Sequence, residues 1–178
     1  MSDPTSPTPP VPDAETLAFL QDVLELVRFG DAAQLGPLLA RGLPANLLNQ
    51  KGDSLLMLAS YHGHLEAARL LLEHGADPEL FNDRSQTPLG AAAFRGDRAM
   101  LELLLAHGAR VDGAGPDGRT PLMLAAMFGR GEIVERLLAH GADPHRRDAG
   151  GFTALDAARQ MGAQETAAQL AALVEREG

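Results

Sequence analysis

A repeat of 33 residues constrains this chain more than any other feature of its sequence. One set of glycines keeps this step without slipping: Gly30, Gly63, Gly96, Gly129 and Gly162. Hydroxyl residues keep the same step: Ser54, Thr87, Thr120 and Thr153. So do three His-Gly pairs, His74-Gly75, His107-Gly108 and His140-Gly141, with Gly42 one step earlier. A fixed period of this length over most of 178 residues predicts a stack of small structural units.

Residues 115–147 show how one unit is expected to fold. Thr120 suits the N-cap of a helix, and Pro121 suits its first turn, where the missing N–H costs no hydrogen bond. The helix is expected to end at Gly129 in a left-handed conformation. A second helix over roughly 132–140 carries its apolar residues on one stripe. A loop and a tight turn then lead to the next unit.

Such a helix pair cannot bury both of its faces alone, so neighbouring units must cover each other. Paired alanines, Ala92-Ala93 and Ala125-Ala126, allow the first helices of successive units to approach closely. The second helices contribute leucine pairs to the core: Leu38-Leu39, Leu71-Leu72, Leu104-Leu105 and Leu137-Leu138. Aromatic residues make up only 4% of the chain, so the core must consist of aliphatic side chains, and this composition favours helices.

The stretches SQTPLGAAAFRGD, GRTPLMLAAMFGR, LLLEHGADP and LLAHGADP resemble those of the ankyrin repeat. The resemblance covers about residues 14–175, and an array this short suggests a small bacterial member of the family. It implies an all-α solenoid of stacked helix-turn-helix units with projecting β-turn loops. It also implies protein–protein binding rather than catalysis. We expect a disordered Pro-rich tail over residues 1–13 and one domain over 14–178, with units at about 14–47, 48–81, 82–114, 115–147 and 148–178.

The two end units depart from the pattern. The first has no Thr-Pro turn, and Asp13 is expected to cap one longer helix that runs to about Phe29. The last has Ala171-Ala172 in place of the leucine pair and Val174 where the closing glycine would stand, so its helix is expected to continue to about Arg176. Such departures are typical of terminal units that cap a stack.

Two local predictions concern the first helices of the second and third units. Ser54-Leu55 stands where other units have Thr-Pro, so the amide of Leu55 is expected to be free and Leu55→Pro to stabilise the fold. Gly90 lies inside a helix, so Gly90→Ala is expected to stabilise it unless the added methyl meets the adjacent unit.

The histidines of the repeat do not predict a metal site. Packed helices lie about 8–10 Å apart, so His74, His107 and His140 are expected on a line at that step, whereas zinc needs nitrogens within about 2.1 Å of one point. We expect each of them to pack near its helix end and to bond to loop backbone. His62 and His64 are expected to point in different directions. The chain has no cysteine, P-loop lysine, HExxH or GxSxG motif, so no cofactor or catalytic residue is expected.

The resemblance places a partner on the concave face of the stack and on the turn tips. The candidate partner-binding residues are Arg28, Phe29, Lys51, Tyr61, His62, Arg84, Phe94, Arg95, Arg119, Met127, Phe128, Phe152 and Met161. This face, with its tips and loops, includes every aromatic residue of the chain except Phe19, and aromatic residues are frequent hot spots. A simpler alternative is that the aromatics pack on the neighbouring unit and that Met127 and Met161 fill the core.

Charge points to the kind of partner. The same face holds six basic residues (Arg28, Lys51, Arg84, Arg95, Arg119 and Arg147) and three acidic ones (Asp53, Asp83 and Asp117), on a chain with a net charge of -9. The overall charge argues against nucleic acid and anionic membranes as partners. No secretory signal or membrane-spanning run is present, so the cytoplasm is the expected location.

We therefore expect a monomeric binding module or adaptor for an acidic, partly apolar segment of another protein. An inhibitor or immunity-type subunit that blocks a partner enzyme is the alternative, and an enzyme is the least expected.

Overall fold

The computed structural model of the protein describes residues 11–178, and within this range the chain forms ten α-helices in five pairs, which we call units one to five. The pairs are α1 (Ala14–Phe29) and α2 (Ala32–Ala40), α3 (Leu55–His62) and α4 (Leu65–Glu73), α5 (Pro88–Arg95) and α6 (Arg98–Ala106), α7 (Pro121–Met127) and α8 (Gly131–Ala139), and α9 (Ala154–Gln160) and α10 (Gln164–Glu177). The all-α repeat fold predicted from the period is confirmed. Most of the Pro-rich tail, residues 1–10, lies outside the described residues.

The units stack in chain order. Each first helix packs against the first helix of the next unit, and the second helices form a second layer. The four paired alanines of the first helices, Ala92, Ala93, Ala125 and Ala126, are fully buried at this contact. In each leucine pair of the second helices at least one member is buried: Leu39, Leu71, Leu104 and Leu137. Small side chains between the first helices thus let successive units approach closely, as the sequence predicts.

Side-chain caps set where the first helices begin. At the start of α1, Asp13 Oδ1 accepts a hydrogen bond from Thr16 N at 2.7 Å, so the long first helix is confirmed. In the other units the cap is the repeated hydroxyl, which accepts from the amide three residues later: Ser54, Thr87, Thr120 and Thr153. The glycines that follow the five first helices have φ angles of 66° to 75°, a left-handed conformation that suits glycine.

Hydrogen bonds between loops join neighbouring units at a position that the repeat pattern does not predict. A polar side chain in the loop after a second helix accepts from a backbone amide of the next unit. The pairs are Asp77 N to Asn46 Oδ1 at 2.8 Å, Arg110 N to Glu79 Oε1 at 2.8 Å, and Asp143 N to Asp112 Oδ1 at 3.2 Å. The acceptors share a position in the repeat but not a residue type, so a search for identical residues misses them.

Four turn tips precede the first helices of units two to five: tip two (49–53), tip three (82–86), tip four (115–119) and tip five (148–152). Asp83 N donates to Lys51 O at 3.1 Å and joins tips two and three, and Ala149 N donates to Asp117 O at 2.9 Å and joins tips four and five. Between tips three and four the equivalent donor would be Pro116, which has no N–H. The tips are therefore linked two by two.

The prediction for Leu55 is wrong. The amide of Leu55 donates to Leu47 O at 3.2 Å, beside an isolated antiparallel bridge between Leu48 and Ser54. Unit two thus starts as a short hairpin in which this amide is bonded. Proline at position 55 would remove that hydrogen bond instead of fixing a free end.

The exception stated for Gly90 applies. A β-carbon at Gly90 would lie 3.0 Å from Leu124 Cδ1 of unit four and 3.1 Å from Thr87 Oγ1, closer than such contacts usually are. Gly90→Ala is therefore no longer expected to stabilise the protein, because the methyl meets the adjacent unit.

The repeated histidines bond to helix groups rather than to loop backbone, so that part of the prediction is wrong. The contacts are His74 Nδ1 to Leu70 O at 2.8 Å, His107 Nδ1 to Leu103 O at 2.9 Å, and His140 Nε2 to Glu102 Oε2 at 3.1 Å. Across residues 11–178, no three histidine, aspartate or glutamate side chains cluster so that they could hold a metal ion. None of the described helices is both long and apolar enough to cross a bilayer.

Candidate partner-binding groove

A cavity of about 390 Å³ opens between α1, α3 and tips two and three. It brings together five of the candidate residues from two kinds of position in the repeat. The ends of the first helices supply Arg28, Tyr61 and His62, and the tips supply Lys51 and Arg84. We call this site the N-terminal cavity. It places helix-end and tip residues side by side, which the sequence could suggest only through the family resemblance.

The floor of the N-terminal cavity is apolar. Leu24, Met57 and Leu58 line it, and Met57 is only 2% exposed. The ring of Tyr61, 43% exposed, continues this surface toward solvent. An apolar side chain of a ligand that entered this cavity would leave water and pack against the carbon atoms of the floor. Removing apolar surface from water in this way is favourable.

The capping helix builds part of this cavity, a contribution that the repeat pattern does not predict. Helix α1 has 16 residues, against eight in α3. Gln21, at the end of its N-terminal extension, lines the cavity together with Asn49 and Gln50 of tip two, and Leu24 does so from the part of α1 that is equivalent to α3. The sequence predicts that the first helix is long. It does not predict which tip this helix reaches, because that depends on how the units stack.

The rim of the N-terminal cavity is cationic. Arg28 pairs with Glu25 on its own helix at 2.5 Å, whereas Lys51 and Arg84 form no ion pair among the described residues. The one carboxylate in the lining is Asp53, which accepts hydrogen bonds from Asn49 Nδ2 at 3.0 Å and from Asn82 Nδ2 at 2.7 Å. Two cations therefore remain available to an acidic ligand.

One histidine of unit two, His62, lines this cavity, and a second, His64, contacts His62 from outside the lining. The rings of His62 and His64 are stacked with centroids 6.1 Å apart, so the prediction that they point apart is wrong. His64 Nε2 lies 2.8 Å from Arg28 O and can donate to it, and the ring of Tyr61 meets His62 edge-on at 5.3 Å. Burial, assisted by the nearby charges of His64, Arg28 and Arg95, lowers the pKa of His62 below its usual range.

Farther along the stack, the candidate aromatics of units three and four contact each other. The rings of Phe94 and Phe128 meet edge to face with centroids 4.6 Å apart. Phe94 is half-buried, and Phe128 is 39% exposed. The contact joins two units, so both residues stabilise the fold as well as contributing exposed apolar surface. This agrees in part with the alternative that the groove aromatics pack on the neighbouring unit.

The remaining candidate residues lie outside the N-terminal cavity. Met127 is half-buried, and the others are exposed: Phe29, Arg95, Arg119, Phe152 and Met161. Arg119 lies 3.9 Å from Asp117 in the same tip, so its charge is partly balanced. Phe29 has 74% of its surface exposed at the end of the first unit.

A second cavity of about 350 Å³ lies between the loops of units three and four. Three small residues line part of this cavity: Gly113, Ala114 and Gly115. Three arginines line the rest of it: Arg110, Arg146 and Arg147. Arg110 is paired with Glu79 at 3.0 Å, and the carboxyl group of Asp112 also lines the cavity. These opposite charges make the second cavity less cationic than its three arginines suggest.

Comparisons with known sequences match this architecture. A family model described as ankyrin repeats, three copies, matches residues 24–114 and again residues 110–176. A segment of 65 residues is 55% identical to a protein of Pseudomonas aeruginosa that is named as an ankyrin repeat protein. That alignment covers 36% of this chain and spans 37% of the relative's length.

Proposed function

The chain belongs to the ankyrin-repeat family, whose repeats generally bind other proteins, and we propose that it is an adaptor for an acidic, partly apolar segment of a partner. The segment lies along the concave groove formed by the ends of the first helices and the turn tips. The family is typically non-enzymatic, and the proposed role requires no catalytic residue, metal or cofactor.

The observation that carries this proposal is the composition of the N-terminal cavity. Lys51 and Arg84 stand on its rim without ion-pair partners among the described residues, above the apolar floor of Met57 and Leu58. A protein surface of this kind favours a ligand that combines carboxylates with one buried apolar group, because charge guides the encounter and apolar contact retains the ligand.

The test is affinity capture from the source cell with identification of the partner by mass spectrometry. The wild-type chain is compared with the double variant Lys51→Glu and Arg84→Glu. We expect the variant to fold normally, since both side chains are exposed, and to lose the captured partner. The control is the double variant Arg41→Glu and Arg176→Glu, which makes the same change in net charge at exposed positions of the second-helix layer. Equal loss in both variants would contradict the proposal.

The activity of the captured partner separates the adaptor from an inhibitor or immunity-type subunit. An adaptor leaves that activity unchanged when the complex is reconstituted, whereas an inhibitor lowers it in proportion to the bound fraction. A monomer located in the cytoplasm is part of the proposal, and sedimentation and cell fractionation check these two points.

A further inference from the structure

The groove differs in chemistry between its two halves, and we infer that it recognises a bipartite segment. An acidic stretch of the partner lies over the N-terminal cavity, and an apolar side chain five or six residues away lies on the aromatic patch. The aromatic patch consists of Phe94, Phe128 and Met161 in units three to five. This inference rests on the proposed function and specifies the ligand of the same groove.

The apolar surface of the second half is available to a ligand. Phe128 is 39% exposed although it contacts Phe94, and Met161 at the end of α9 is 53% exposed. Met127, half-buried in the same helix end as Phe128, extends this surface. Exposed aromatic and methionine side chains next to one another suit an apolar anchor of the partner.

The turn tips divide in the middle of the groove, between units three and four. A backbone hydrogen bond of 3.1 Å joins tips two and three, which hold Lys51 and Arg84, and another of 2.9 Å joins tips four and five. Pro116 removes the equivalent donor between tips three and four. The groove is therefore flanked by two linked pairs of tips. The first pair supplies Lys51 and Arg84 to the N-terminal cavity, and the second pair belongs to the units that hold Phe128 and Met161.

The spacing of the ligand follows from the spacing of the units. The N-terminal cavity is centred on unit two, where Tyr61 and His62 lie, and Phe128 belongs to unit four, two steps along the stack. Packed helices are about 8–10 Å apart, so two steps measure roughly 16–20 Å. An extended chain advances about 3.3 Å per residue, so roughly five or six residues connect the two places.

A series of synthetic peptides tests this spacing. Each peptide carries a block of three glutamates and one phenylalanine, separated by no residue, by four or by eight Ser/Thr/Gly residues, and binding is measured by fluorescence anisotropy. We expect at least tenfold tighter binding with four than with none, because in the shortest peptide the phenylalanine is at most three residues from a glutamate and only one half of the groove is reached. Between four and eight the affinity should change by less than about threefold, since extra linker length lowers the effective concentration slowly.

Variants assign each half of the peptide to its place. Lys51→Glu with Arg84→Glu should reverse the preference, so that a peptide with three lysines binds at least tenfold better than the glutamate peptide. Phe128→Ala should abolish the dependence on spacing and leave the glutamate block bound. Met161→Ala leaves the Phe94–Phe128 contact in place and should weaken the dependence on spacing. This variant replaces Phe128→Ala as the test if Phe128→Ala does not fold. Arg41→Glu with Arg176→Glu should behave as the wild type.

Three results would overturn the bipartite arrangement. The affinity does not depend on the spacer length, no peptide binds, or the dependence on spacer length persists in Lys51→Glu with Arg84→Glu. If the captured partner is nevertheless lost in Lys51→Glu with Arg84→Glu, the proposed function stands and only the spacing is wrong. If the peptides behave as expected while capture does not depend on these residues, the arrangement holds and the adaptor role in the cell is wrong.

Discussion

The N-terminal and C-terminal halves of the groove come from one repeat and expose different surfaces. Around tips two and three, Lys51 and Arg84 stand above a buried apolar floor. In units three and four, Phe94 and Phe128 contact each other and leave part of their rings in solvent. Side-chain caps and left-handed glycines occur at the same repeat positions in both halves, so they do not cause the difference in surface chemistry. The repeated cap and glycine positions determine where each helix begins and ends. The variable residues between them determine which ligand the surface can bind.

The largest effect is expected where the two halves differ in how a first helix begins. Leu55→Pro in unit two removes the hydrogen bond from the amide of Leu55 to Leu47 O and truncates a fully buried side chain. We expect a loss of about 3 kcal/mol in the free energy of unfolding, measured by denaturant titration.

Ala154→Pro in unit five is the matched control for that substitution. Ala154 also follows a capping hydroxyl, and its amide makes no backbone hydrogen bond to another described residue. We expect a gain of roughly 0.4–1 kcal/mol, because proline restricts the unfolded chain. Equal losses in both variants would mean that the starts of units two and five do not differ.

The aromatic pair gives the next largest effect. Phe94→Ala with Phe128→Ala removes an edge-to-face contact between units three and four, together with the buried part of both rings. We expect a loss of about 2 kcal/mol, or roughly 4–8 °C in the melting temperature for a domain of this size. These two aromatic residues therefore contribute to stability as well as to the exposed surface of the groove. Phe29→Ala, at a residue that is 74% exposed, should leave the melting temperature unchanged, and an equal drop there would refute the distinction.

Tip three differs from the other tips in one backbone position. Ser85 has a φ of 63°, whereas the equivalent residues Gly52, Gly118 and Gly151 are glycines with φ of 70° to 83°. Ser85→Gly should stabilise the protein by about 1 kcal/mol, because a side chain is disfavoured in the left-handed region. Gly151→Ser, where nothing lies within 4 Å of an added β-carbon, should cost a similar amount. Thermal melts that show no change in either variant would contradict this cause.

The sequence predicts the frame well because the frame is periodic. The caps, the left-handed glycines and the buried alanines recur at 33 residues, so each is seen four or five times. The N-terminal cavity was predicted only in part, since it depends on how far α1 extends past α3 and on which tip Gln21 reaches. The bonded amide of Leu55 could not be inferred, because it belongs to a local hairpin in one unit.

The smallest effect concerns pH, and it separates the two halves because His62 belongs to the N-terminal cavity. Burial and the charges of His64, Arg28 and Arg95 lower the pKa of His62 in the folded protein, and the opposing charge of Asp53 does not offset them. The folded state therefore binds this proton less readily than the unfolded chain, whose histidine has a pKa near 6.5. Stability should be full above that value, fall slightly as the pH drops through it, and level off below the folded pKa.

Binding of an acidic peptide should show the opposite trend. Carboxylates over the N-terminal cavity favour protonated His62, so affinity for the glutamate peptide should rise as the pH falls from 7 toward 5.5, above the usual range of glutamate itself. His62→Gln keeps a neutral polar side chain and should remove both trends, while Phe128→Ala in the other half should retain them. Anisotropy titrations and thermal melts at matched pH values provide the measurement. If the affinity of the His62→Gln variant still rises with falling pH, the titrating group is not His62, and the pH response does not distinguish the cavity from the aromatic patch.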